Sequence, residues 1–164
     1  MKNRITRALL AATLAATVFP AAIPAITEAH FPIVDRYAWI SQWYTSVHHA
    51  IDIAAPTGTK IVPIRSGRVV WHGWDHTGGG WGVIIYHGNG MYSGYYHLSK
   101  IRAWNGEWVK DETTVIGYVG MSGNASGPHT HTEVWHGYPW HSGSYRVNPW
   151  KYIDSGTWLP YRYR

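Results

Sequence analysis

The chain has no cysteine, which excludes a disulfide framework and leaves stability to core packing and to any metal the fold holds. Phenylalanine is nearly absent, at two residues. Charge is scarce as well, since only 14% of residues are Asp, Glu, Lys or Arg. The basic excess, 14 against 9 acidic residues, is too weak to argue for nucleic acid, although it suits an anionic surface. No apolar run reaches the roughly 20 residues that span a bilayer. The longest, residues 8–19, ends at Pro20, and Pro24 follows. Internal repeats, heptads and long helical periods are missing too, which excludes solenoids and coiled coils.

What the N-terminus does hold is a recognisable layout. Lys2, Arg4 and Arg7 precede the apolar run, and a small-residue tail ends Thr27-Glu28-Ala29. That order predicts a secretory signal peptide over residues 1–29, cut after Ala29 or, alternatively, after Ala25. The mature part, residues 30–164, is one domain by length. Without Lys2, Arg4, Arg7 and Glu28, its charged residues number 11 basic against 8 acidic. It is expected to be a monomer, secreted or associated with a cell wall, and without a stable membrane anchor.

The aromatic weight rests on 11 Trp and 12 Tyr. Such side chains line wet grooves with a flat face and a polar tip, or build an aromatic core, and both uses are expected. Short runs rich in Val, Ile, Tyr and Trp recur between Gly, Pro, Asn and Ser, the pattern of strands and turns. Strands are expected near residues 50–54, 60–64, 68–71, 82–86, 91–96, 115–119 and 129–135. Asn89-Gly90 predicts a tight hairpin. Residues 31–47 show no clear period and read as a lead-in draped over the core. Residues 101–114 read as irregular, and Gly78-Gly79-Gly80 as a mobile groove-edge loop. The fold class is all-β, a single mostly antiparallel domain.

The stretch with the most chemistry is Gly127-Pro128-His129-Thr130-His131-Thr132-Glu133-Val134. Its β-branched residues favour an extended chain, and residues two apart on a strand share a face. His129 and His131 would then project side by side, as two metal ligands or as one ligand beside one base. His48 and Asp52, four apart, could reach the same ion. Two imidazoles, a carboxylate and an open fourth position suit catalytic zinc. Glu133 shares the parity of His131 and could orient it.

The order of motifs is more specific than any one of them. His48-His49-Ala50-Ile51-Asp52 is followed by Gly58-Thr59-Lys60-Ile61, Gly67-Arg68-Val69 and Trp81-Gly82-Val83-Ile84. Then come Tyr95-Tyr96-His97-Leu98-Ser99, Ile116-Gly117-Tyr118-Val119-Gly120, the His129-Thr130-His131 stretch and Val147-Asn148-Pro149. This succession, over residues 48–152, resembles the lysostaphin-type zinc metallopeptidases, peptidase family M23. The resemblance implies a β-sheet fold with an open groove and cleavage of peptide bonds in bacterial peptidoglycan. It implies one zinc per chain on His48, Asp52 and His131, with His97 and His129 as the catalytic pair. Ala50 stands where the family has glycine, and Thr130 and Thr132 replace Leu and Phe. The 110–114 loop is slightly longer than usual, and no separate wall-anchoring or inhibitory domain is expected.

Two other readings compete. A non-catalytic wall-binding or hydrolase-activating module would keep the groove without turnover. Two His and one carboxylate also form the iron site of certain oxygenases. His30, His49, His72, His76, His87, His136 and His141 are expected to be structural or exposed. His49 has the opposite strand parity to His48 and Asp52.

Overall fold

Alternating inward and outward side chains, punctuated by glycine turns, make strands the dominant regular structure of the described residues. The computed structural model describes residues 30–153 apart from 34, 36 and 112. The expected leader, 1–29, lies outside the described residues. In chain order the strands are β1 (Trp39–Gln42), β2 (Ile51–Ala54), β3 (Lys60–Ile61), β4 (Gly67–Asp75) and β5 (Gly80–Gly88). They continue with β6 (Met91–Tyr96), β7 (Leu98–Ile101), β8 (Trp108–Val109), β9 (Gly117–Val119), β10 (His129–His136) and β11 (Tyr145–Val147). A single 3-10 turn, Pro149–Tyr152, follows; Asn148 caps it by accepting from the Trp150 amide.

Two antiparallel sheets result. The larger runs β1-β2-β10-β6-β5-β4-β8, with β11 also on β10, and the smaller runs β3-β9-β7. The all-β, antiparallel expectation therefore holds. The Asn89-Gly90 hairpin joins β5 to β6, with both residues at positive φ, 51° and 73°, as a two-residue turn requires.

β10 is the axis of the site. One edge pairs with β6 along most of its length; the other pairs first with β2 and then with β11. Its alternation is clean. Thr130, Thr132 and Val134 turn inward and are fully buried, while His129, His131 and Glu133 share the outer face. The register sets Asp52 of β2 directly opposite His131, with Tyr96 of β6 opposite on the other side.

The core is mainly aliphatic, with Phe31 and Tyr95 inside it and Tyr44, Trp150 and Tyr152 packed against it, so the expected aromatic contribution is partial. Ile51, Ile53, Val69, Val83, Ile85 and Val134 from the larger sheet meet Ile61, Leu98 and Val119 from the smaller one. Tyr95 is the one aromatic among the largest fully buried side chains. Several indoles, among them Trp39, Trp74, Trp81, Trp104 and Trp108, are exposed, while Trp135 is buried and Trp150 packs against the core. The lead-in is also more than a drape. Phe31, Ile33, Ala38 and Ile40 join the core, and β1 extends the larger sheet.

At one of its crossings between the two sheets the chain passes through a single residue. β6 ends at Tyr96 and β7 begins at Leu98. Between them His97 has a left-handed backbone, φ 61°, a conformation histidine tolerates better than most side chains. Its amide donates to the Gly79 carbonyl at 2.8 Å.

Candidate metal centre and active site

Asp52 is buried at 8% exposure on the outer face of β2. A lone carboxylate there would be costly, and it is surrounded by imidazoles. His131 Nδ1 lies 2.8 Å and His48 Nε2 3.2 Å from its Oδ1, and His129 Nε2 is 3.8 Å from Oδ2. Burial alone would raise its pKa, but the hydrogen bond and charge of His131, then His48 and His129, hold it below the usual carboxylate range.

Each histidine is oriented by its other nitrogen. His48 sits in the turn before β2, where Thr45 Oγ1 accepts the amides of Val47 and His48. Its Nδ1–H donates to the Trp43 carbonyl at 3.1 Å, which aims Nε2 at Asp52. His129 Nδ1–H donates to the Gly127 carbonyl and His97 Nδ1–H to the Ser122 carbonyl, both at 2.8 Å. His131 is turned the other way, with Nδ1 toward Asp52 and Nε2 3.4 Å from Glu133 Oε1. Backbone carbonyls thus select the tautomer of His48, His97 and His129, while both nitrogens of His131 face carboxylates.

One ligand atom each from His48, Asp52 and His131 lies within 4.8 Å of the others. Two nitrogens and a carboxylate oxygen, each ring braced from behind, fit a zinc-type site with a side left for water or substrate. Burial opposes a proton on His131, yet the bonds to Asp52 and Glu133 dominate and push its pKa up to about 9. Metal uptake must therefore displace a firmly held proton. Glu133 itself is buried but accepts from Trp135 Nε1 at 2.7 Å and Arg146 Nη1 at 2.8 Å as well as His131. Against the cost of burial, those contacts keep its carboxyl below the usual range.

His97 and His129 stand beside this cluster, their ring centroids 4.6 Å apart, with His97 5.9 Å from His131. Strand alternation alone would turn His97 away from Tyr96 and so away from His131. The left-handed backbone at residue 97 reverses that and returns the ring to the cleft. Burial first, then the neighbouring imidazoles, lower its pKa against the pull of the Ser122 carbonyl. Neutral at neutral pH, it offers a basic Nε2.

The cluster lies in a cleft of about 430 Å³ that Asp75, Thr77, Asn124, Trp140 and Arg146 help to line. A second hollow, about 520 Å³, adjoins it across Ser126 and His129 and is walled by Tyr37, Trp39, Pro56 and Pro128. The groove thus has a polar arm and an apolar arm. The structure brings all five sequence-selected residues, His48, Asp52, His97, His129 and His131, into one site.

Comparison with known proteins agrees with this geometry. The profile described as Peptidase family M23 matches residues 46–149.

The chain belongs to peptidase family M23. Over 86 residues it is 34% identical to lysostaphin of Staphylococcus simulans, covering 52% of this chain and 17% of that protein. Over 87 residues it is 38% identical to the peptidoglycan DD-endopeptidase ShyA of Vibrio cholerae, covering 53% of this chain and 20% of that one. The chain thus spans about a fifth of the length of these curated relatives. The catalytic domain of the prophage-encoded M23 protein EnpA from Enterococcus faecalis superposes with a TM-score of 0.59 at 35% identity, covering 74% of this chain and 94% of that one.

Near the cluster the chain departs from the M23 pattern at Ala50, Thr130 and Thr132. Ala50 is fully buried and is not among the residues with positive φ, so no glycine is needed there. Thr130 and Thr132 face inward, away from the cluster. Sequence reasoning missed the Trp43, Gly127 and Ser122 carbonyls, since backbone acceptors leave no residue-type signal. It also missed Arg146, whose partner Glu133 could have pointed to it only once β11 was seen to pair with β10.

Proposed function

We propose that this chain is an exported zinc endopeptidase that hydrolyses peptide bonds of bacterial peptidoglycan. The observation that carries the reading is the convergence of His48, Asp52 and His131 on one point, with His97 and His129 side by side at its open face. The peptidoglycan endopeptidase name of a relative 38% identical supports the substrate class.

His48 Nε2, an Asp52 oxygen and His131 Nδ1 would hold the metal. Zinc, when bound there, lends Lewis acidity to the scissile carbonyl and to the attacking water. The rest is the work of the chain. His129 and His97 both present Nε2 to the cleft while their Nδ1 protons are committed to carbonyls. Either can accept the water's proton and then, as an imidazolium, donate to the developing oxyanion or to the departing amine. Asp52 stays ionised through its hydrogen bonds, and Glu133 holds the His131 ring plane. The two arms of the groove would carry the peptide on either side of the scissile bond.

The test is metal content beside wall hydrolysis in single variants. One zinc per chain is expected, and activity should be lost with chelator. Asp52→Ala and His131→Ala should lose both metal and turnover. His129→Ala and His97→Ala should keep the metal while the rate falls about 10²–10⁴-fold. Metal retained in His131→Ala and lost in His129→Ala would reverse the assignment, and full occupancy by iron would replace the zinc reading. Sacculi left intact by a zinc-loaded wild type would favour a non-catalytic wall module. The mature N-terminus of the exported protein should be His30.

A further inference from the structure

β4 and β5 carry a pair of indoles that neither the core nor the cleft uses. Trp74 and Trp81 are cross-strand partners, with ring centroids 5.3 Å apart in an edge-to-face arrangement. They are 41% and 44% exposed. Trp81 has the strand parity of Val83 and Ile85, which lie in the core. It therefore continues the inner face of the larger sheet out to the surface. Between its indole and β7 lies a slot of about 420 Å³, lined by His72, Trp81, Ser99, Lys100, Ile101 and Ala103. That volume falls in the usual range for small-molecule sites, roughly 300–1,000 Å³. Next along the chain, the Arg102 guanidinium lies 5.7 Å from the centre of the exposed Trp104 ring.

We propose that this slot binds a pyranose of the peptidoglycan glycan strand. The lining argues for a sugar. A flat indole wall and an aliphatic floor of Ile101 and Ala103 suit the C–H face of a pyranose. The Lys100 ammonium and the His72 imidazole supply hydrogen-bonding groups around it for ring hydroxyl and N-acetyl groups, and Ser99 Oγ, whose proton goes to the Val119 carbonyl at 2.8 Å, can accept from a ring hydroxyl. A phosphate polymer would draw on a cluster of cations, and Lys100 is the one formal cation among the six lining residues. The six lining residues include no carboxylate, so an amine-rich peptide finds no partner there.

Position argues for the same occupant. The Trp81 amide donates to Ser122 Oγ at 2.9 Å, and the Ser122 carbonyl accepts from His97 at 2.8 Å. Gly78 and Gly79, just ahead of β5, line the catalytic cleft. Slot and cleft are thus the two sides of one loop pair. A stem peptide in the cleft would bring its own glycan strand past Trp81, an inference that rests on the function proposed above.

The experiment uses zinc-loaded full-length mature chain and three variants, Trp81→Ala, Trp74→Ala and Lys100→Ala. It reads turnover of a soluble glycan-free cross-linked peptide, hydrolysis of intact sacculi, and binding of a tetramer of N-acetylglucosamine. In both Trp variants, peptide turnover should stay within about twofold of wild type. Sacculus hydrolysis and tetramer affinity should fall about tenfold in Trp81→Ala, the loss expected for one stacking contact. A smaller fall in the same direction is expected for Trp74→Ala, which guards against a folding defect in the first variant. Equal losses on peptide and sacculus, or no loss on either, would overturn the proposal. So would loss of binding in Lys100→Ala alone, which marks a charge site, or a concentration-dependent dimer that Trp81→Ala abolishes. If wild type cleaves neither substrate, the proposed function fails, while tetramer binding and its loss in Trp81→Ala still decide the slot.

Discussion

Thr132 sits one position beyond His131 and faces the other way. Its side chain is fully buried, and Oγ1 has no hydrogen-bond partner among the described residues. An unpaired buried hydroxyl costs on the order of 1–3 kcal/mol. Thr132→Val, which exchanges that hydroxyl for a methyl, should therefore stabilise the fold by about 1 kcal/mol. Thermal unfolding should shift up by roughly 4 °C, with metal content and turnover unchanged. A lower melting temperature would show that the hydroxyl is paired in solution. This position also marks what single residues disclosed. Alternation along one strand was enough to place His129 and His131 on one face and the threonines on the other. It could not place His97, whose parity points the wrong way until its backbone angle is known. Only resemblance to the family brought that residue into the site.

At the scale of elements, the two glycine loops beside the cleft hold His97 in place. Gly123 is left-handed at φ 72°, and a Cβ there would run into the Gly78 carbonyl, which already accepts the Asn124 amide at 2.8 Å. The loops touch backbone to backbone, with no room for a methyl group. Gly123→Ala should push them apart, shift the Ser122 carbonyl from His97 and cut turnover at least tenfold. Zinc content should hold, since His48, Asp52 and His131 come from elsewhere. Wild-type turnover in that variant would show that the loops reseat freely. Long strands and the Asn89-Gly90 hairpin were legible because their periods and turn residues are local. β1, β7, β8 and β11 were not. They are two to four residues long, and their burial patterns, with one inward residue at most, carry no alternation to read.

For the molecule as a whole, acid is the condition that should undo it. His87 is largely enclosed, its Nδ1 3.1 Å from the Ser66 carbonyl and its Nε2 2.7 Å from Ser93 Oγ. Ser93 Oγ lies 3.0 Å from Tyr95 Oη, which accepts the Ile64 amide at 2.7 Å. Burial, with Arg65 nearby, lowers the His87 pKa to about 4 despite the Ser66 carbonyl. The unfolded chain, titrating near 6.5, binds this proton first. The contribution to stability is thus complete above about pH 6.5 and drains away as pH falls toward 4. It amounts to at most about 3 kcal/mol, less where the ring edge meets water. Urea unfolding from pH 7.5 to 4 should show that slope, and His87→Gln should flatten it. An unchanged slope in the variant would assign the acid sensitivity to His97, whose pKa burial also lowers.

The single-residue passage from Tyr96 through His97 to Leu98 also bears on how this chain can change in length. The same residue is the proposed base and joins strands of the two sheets, so one added position there would move the imidazole out of register with the proposed metal ligands while leaving both sheets able to form. Loops such as 102–107 and 137–144 span several residues and supply none of the five imidazole and carboxylate groups of the cluster. Natural insertions and deletions should therefore collect in those loops and spare the step between residues 96 and 98.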